Sequence, residues 1–144
     1  SIADPNLIFE DFSNGARDWS SRDQRSIKTY KFQNPKIDRS PNKKLAIKID
    51  PQGKQLALRL TVSSQFLSRE NNLGNFSYTT RIAGDQLREL VISAAEFKSA
   101  DKKKLEWSKI ATFEVTLIDD TTRGKIDLTS PKGHAILKQI RLID

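Results

Sequence analysis

Cysteine and methionine are both absent from this 144-residue chain, histidine occurs once, and aromatic residues make up only 8%. Without cysteine there is no disulfide framework, no thiolate zinc site and no thiol nucleophile, and the redox compartment is left open. The missing initiator methionine, with a start at Ser1-Ile2-Ala3-Asp4-Pro5, is expected of a chain processed or cut from something longer, for example by removal of a signal segment. No window has the uninterrupted apolar length of a membrane span, and no lipidation pattern is present. The lone histidine, His134, would have to serve any Ser-His-Asp system, and no Gly-x-Ser-x-Gly elbow accompanies it. Phosphate-cradling glycine loops and His-rich metal motifs are missing as well. Glu96, Glu106, Asp119 and Asp120 are the carboxylates a glycosidase pair would draw on, but their spacing sets no defined separation across a cleft. The expectation is a protein without catalysis.

What the chain does carry is charge. Lys and Arg number 25 against 18 Asp and Glu, a net charge of +7, which favours acidic partners: anionic polysaccharide, nucleic acid or an anionic surface. The basic residues are scattered, and the densest runs, Lys102 to Lys104 and Lys43-Lys44, fall in expected loops where such runs are ordinarily solvated. No helix-turn-helix, aromatic RNP-type strand or basic arm is evident, so nucleic acid is not the expected partner. The length suits one domain, spanning residues 1 to 144, with a single core.

Alternation of apolar and polar residues dominates from residue 45 onward. Leu45, Ile47 and Ile49 alternate with Ala46, Lys48 and Asp50, and Leu56, Leu58, Leu60 and Val62 with Ala57, Arg59 and Thr61. Pro51-Gln52-Gly53 between them is a turn signal, and the two runs read as a hairpin. Phe76, Tyr78, Thr80 and Ile82 form another strand, closed by Ala83-Gly84-Asp85. Phe113, Val115 and Leu117 form a further one, ending at Asp119-Asp120-Thr121-Thr122. Lys125 to Leu128 reads as a short strand, Ser130 to Gly133 as a turn, and Ala135 to Ile143 as the last strand. Near the start, Leu7 to Phe12 reads as a strand, residues 15 to 26 as a loop, and Ile27 to Phe32 as a strand. Each strand has one apolar and one polar face, as an antiparallel sheet with a solvated side requires. The pattern is that of an all-β sandwich. Asp85 to Lys104 is ambiguous, because Leu87, Leu90, Val91, Ala94 and Ala95 also recur at helical spacing.

Phe9-Glu10-Asp11-Phe12 followed by Gly15 and Trp19, Leu90-Val91-Ile92 with Glu96-Phe97, Trp107-Ser108-Lys109-Ile110, and a closing Leu137 to Leu142 together resemble the galactose-binding-like jelly roll. Among its members the chain is most similar to carbohydrate-binding modules of the family 11 type and the complex I intermediate-associated protein domain. The resemblance spans nearly the whole chain and is carried by apolar spacing and a few aromatics. It implies a jelly-roll β-sandwich of two antiparallel sheets, secreted or periplasmic, usually appended to a polysaccharide-degrading enzyme and holding glycan on a concave face or in end loops. It also settles Asp85 to Lys104 as a strand over Arg88 to Ser93 with at most one helical turn after it. Many such domains hold a structural calcium ion, for which Glu10, Asp11 and Asp144 occupy the matching positions. Oxygen donors suit that ion, although no Asp-x-Asp-Gly loop is present.

Sugar recognition calls for an aromatic face to stack on a pyranose and polar groups for its hydroxyls. The resemblance implies that Trp107, which opens the Trp-Ser-Lys-Ile segment, packs in the core, and Tyr78 is expected to be buried among the core partners it alternates with. Trp19 lies in a polar setting, and Tyr30 is the better stacking candidate. Lys48, Arg59, Thr61, Ser77, Thr79, Arg81 and Glu114 are expected on outward sheet faces, where Arg59 and Arg81 are fork-shaped donors suited to carboxylate, sulfate or vicinal hydroxyls. The function read from the sequence is therefore a non-catalytic carbohydrate-binding module, with a lean towards acidic polysaccharide. Its rival is a structural accessory domain that packs on a catalytic domain of the same parent chain without binding sugar.

Overall fold

The computed structural model describes residues 20 to 22, 25 to 29, 40 to 64, 68 to 128 and 130 to 144. Within these, nine strands form two antiparallel sheets around one hydrophobic core. The larger sheet takes the order β1 (Ser20–Arg22), β2 (Arg25–Thr29), β7 (Thr112–Asp119), β4 (Gln55–Ser63) and β5 (Asn75–Ala83), with β8 (Lys125–Ile126) paired to β7. The smaller sheet places β3 (Lys44–Ile49) between β6 (Arg88–Ser93) and β9 (Leu137–Ile143). The architecture is an all-β sandwich.

The period-two pattern produces this packing directly. Leu56, Leu58, Leu60 and Val62 of β4 and Phe113, Val115 and Leu117 of β7 face Leu45, Ile47 and Ile49 of β3 and Ile140 and Leu142 of β9 in a single buried cluster. Each fully buried aliphatic or aromatic side chain contributes roughly 1.5–3 kcal/mol. Among the described residues the three-stranded sheet departs from one-sided burial at Ala46, which points outward yet is buried. Arg141 and Glu89, on the strands flanking β3, form a 3.6 Å ion pair across it.

The hairpin expected between residues 45 and 62 does not form. The turn is there, with Gln52 and Gly53 both at positive φ, but β3 pairs with β6 and β9 while β4 pairs with β5 and β7. The turn's backbone explains the outcome: Asp50 N–H donates to the Ile136 carbonyl and Gly53 N–H to the Gly84 carbonyl. These bonds dock it on neighbouring segments, so the chain arches from one sheet to the other. β1 occupies part of the segment expected to be a loop, pairing Ser20 with Ile27 and Arg22 with Arg25. The strand expected at residues 7 to 12 lies outside the described residues.

The ambiguous segment resolves as β6 followed by one 3-10 turn, Ala94–Glu96. Its Glu96 carboxylate accepts from the Ser93 backbone N–H at 2.7 Å and from its hydroxyl at 3.3 Å, a capping-box contact that fixes where the turn begins, and the chain returns to extended backbone at Phe97. The turn expected at Ser130 to Gly133 is instead the start of a short helix, α1 (Pro131–Ile136), which shortens the last strand to Leu137–Ile143. Ser130 caps it by accepting the Gly133 N–H on its hydroxyl, and Pro131 occupies a position where no N–H is needed. The helix packs close to the residues that follow β8: a Cβ on Gly133 would clash with the Asp127 carbonyl oxygen.

Trp107 is fully buried in another 3-10 turn, Trp107–Lys109, and its indole N–H donates to the Lys43 carbonyl at 2.8 Å. Phe97 meets it edge-on at 5.8 Å, and Tyr78 lies 5.8 Å beyond Phe97. Trp107→Phe would leave the Lys43 carbonyl buried without this donor, and we expect a loss of about 1–3 kcal/mol in urea unfolding. Gly133→Ala is expected to lower the unfolding free energy in urea by a similar amount, about 1–3 kcal/mol, because the clash is with backbone that has to move.

Candidate functional site

Outward residues of the larger sheet form one continuous surface, ordered by the strand register. Arg59 of β4 stands between Thr79 of β5 and Thr116 of β7. In the next row towards one end, Arg81, Ala57, Ile118 and Lys125 lie side by side. On the other side the row is Ser77, Thr61 and Glu114. An isolated antiparallel bridge extends that row, since Ser77 and Lys98 exchange both backbone hydrogen bonds, at 2.9 and 2.8 Å. Directly bridged residues share a face, so exposed Lys98 joins the surface from the β5 edge. Arg59, Thr79 and Arg81 are exposed, Thr61, Ser77 and Glu114 half-buried, and Thr116 buried.

The two arginines proposed from sequence are therefore neighbours, placed diagonally on adjacent strands, a relation that puts such positions roughly 7–8 Å apart. Arg81 is oriented by an ion pair, its Nη1 2.7 Å from an Asp120 carboxylate oxygen. Lys48 is not part of this surface. It belongs to β3, opposite Glu89 and Gln139, on the outward side of the other sheet. Trp19, Tyr30, Glu10 and Asp11 lie outside the residues whose side chains the structure describes. Asp144, the remaining candidate calcium ligand, accepts from the buried Lys43 ammonium at 2.6 Å. Among the described residues no group of three or more His, Asp or Glu is placed to hold a metal ion. No helix there is long and apolar enough to cross a membrane.

Sequence reasoning missed Lys98, Lys125 and Thr116. Thr116 and Lys125 were legible as outward positions of their strands, but placing them beside Arg59 and Arg81 needs the strand order. Lys98 had no pattern to reveal it, because a single bridge leaves no alternation. The carboxylates considered for glycosidase chemistry have structural partners: Glu96 caps its turn, Glu106 pairs with Lys109 at 3.3 Å, and Asp120 holds Arg81. Asp119 shapes the end of the sheet. Its carboxylate accepts the Thr121 N–H at 2.9 Å and the Thr122 N–H at 3.4 Å, with Lys54 at 3.7 Å. The Thr121 hydrogen bond chiefly holds its pKa below the ordinary 3.8, against the opposing effect of burial, with Thr122, Lys54 and Lys132 adding to the depression.

Compared with known families, curated proteins and solved structures, the chain matches none.

The Asp119 turn generates a pH prediction. A carboxylate whose folded pKa is depressed contributes stability that is complete above its unfolded value, 3.8, and disappears as pH falls through the lower folded value. Asp119→Ala should therefore melt below the wild type at neutral pH, with the two melting temperatures converging in acid below pH 3.8. A gap that stays constant across a pH series of melts would show that the ionised turn is not its source.

Proposed function

We propose that the sandwich is a galactose-binding-like jelly roll that serves as a non-catalytic glycan-binding module, with the outward face around Arg59 as its binding surface. The observation that carries this reading is the convergence of Arg59 and Arg81 with Ser77, Thr79 and Thr61 on one sheet face. Guanidinium groups present donors in a fixed fork, and hydroxyls both donate and accept, which together match the vicinal hydroxyls and acidic substituents of a polysaccharide. A sheet holds these groups at regular spacings, as a repeating polymer requires. In this reading the module is attached to a polysaccharide-degrading enzyme outside the cytoplasm. A structural calcium ion would draw on Glu10, Asp11 and Asp144, the last of which would have to exchange its Lys43 partner for the ion.

One observation favours a second reading, a structural accessory domain without sugar. Leu87 and Val91, the two large apolar side chains exposed among the described residues, lie one just before and one within edge strand β6, 56% and 48% accessible. Exposed apolar surface at a sheet edge suits packing against another domain.

Affinity electrophoresis through gels containing neutral, uronic and sulfated polysaccharides separates the two. We expect at least one polymer to retard the protein, and Arg59→Ala with Arg81→Ala to abolish that retardation without altering the melting temperature. Free migration in every gel would favour the accessory reading. For the metal, a chelator should lower the melting temperature if calcium is bound by the folded state alone, and an unchanged melt would remove it.

A further inference from the structure

The surface around Arg59 has a chemical bias that the glycan reading alone does not specify. Its cations, Arg59, Arg81, Lys98 and Lys125, come from three strands and one bridged segment, against the carboxylates of Glu114 and Asp120. None of its described outward residues is aromatic: β4 contributes Gln55, Ala57, Arg59, Thr61 and Ser63, and β5 contributes Asn75, Ser77, Thr79, Arg81 and Ala83. Trp107, Phe76, Phe97 and Phe113 are all buried in the core.

A neutral sugar is held largely by stacking its apolar face on an aromatic ring, with hydrogen bonds that compete poorly against water. The described part of this face lacks that platform. Charge-assisted hydrogen bonds are roughly twice as strong as neutral ones and do not need it. We infer that this face, if it is the glycan site proposed above, selects a polyanionic glycan carrying sulfate or carboxylate groups over a neutral one. Arg59 is the central contact, exposed between two threonines. Arg81 is pre-oriented, because Asp120 takes one donor of a guanidinium that is 77% exposed and carries five. Lys98 adds a flexible point charge at the sheet edge. The same absence of rings disfavours a single-stranded nucleic acid, whose bases are held by stacking on aromatic side chains.

Matched polymers test this. The protein is titrated with dextran sulfate against dextran, and with polygalacturonate against its methyl ester, at low and high NaCl. Binding to at least one charged member, none to its neutral counterpart, and loss of affinity as salt rises would support the inference. Arg59→Ala is expected to weaken that binding about tenfold, the equivalent of one charge-assisted contact. Lys44→Ala, which removes the same charge from the outward side of the other sheet, is expected to change it less than about twofold. Equal binding to a neutral counterpart would overturn the anionic preference and leave the glycan reading standing. Failure of all four polymers would overturn that reading itself. Duplex or single-stranded DNA bound as tightly as the charged glycan, or a Lys44→Ala loss equal to that of Arg59→Ala, would show attraction by net charge alone and overturn the inference.

Discussion

The buried hydrogen bond from the Trp107 indole to the Lys43 carbonyl joins the two sheets at their most consequential point. Lys43 precedes the central strand of the smaller sheet, and Trp107 precedes the strand that lies between β2 and β4 in the larger one. A wholly buried indole N–H left without a partner would cost about 1–3 kcal/mol, so the geometry of both strand entries is constrained together. Phe97 and Tyr78 extend the same constraint to β5 and to the connection after β6. With few aromatics in the chain, three of them are committed to this one junction.

That commitment has a functional consequence. Rings that pin the core are not available as sugar platforms, and what the larger sheet offers on its open side is hydroxyls and cations. The bridge between Ser77 and Lys98 belongs to the segment just after Phe97, so the packing of Phe97 against Trp107 also delivers Lys98 to the outward face. Core and candidate site are thus coupled through a single extended residue pair. The bridge also shields part of the β5 edge, which would otherwise present open backbone groups.

Much of the fold was legible from alternation, because a strand with one buried face must repeat every two residues. The strands at residues 45 to 49, 56 to 62, 76 to 82 and 113 to 117 follow that rule, as does the outward placement of Arg59 and Arg81. The arch from one sheet to the other at Pro51 to Gly53 was not legible. Two alternating strands joined by a turn look the same in sequence whether they pair within one sheet or face each other across the sandwich, since both arrangements bury the same residues. The helix at Pro131 was hidden for a different reason: its six residues are too few for a helical period, and it depends on the Ser130 cap and on Gly133 packing against Asp127.

The sequence by itself determined the all-β class and the inward and outward sides of the main strands, because side-chain polarity and period act residue by residue. The tertiary structure decided which strands are neighbours. Neighbour relations depend on distant backbone hydrogen bonds that leave no local pattern, and they alone set Arg59 beside Arg81, brought Lys98 to join them, and put Lys48 on the other side of the sandwich.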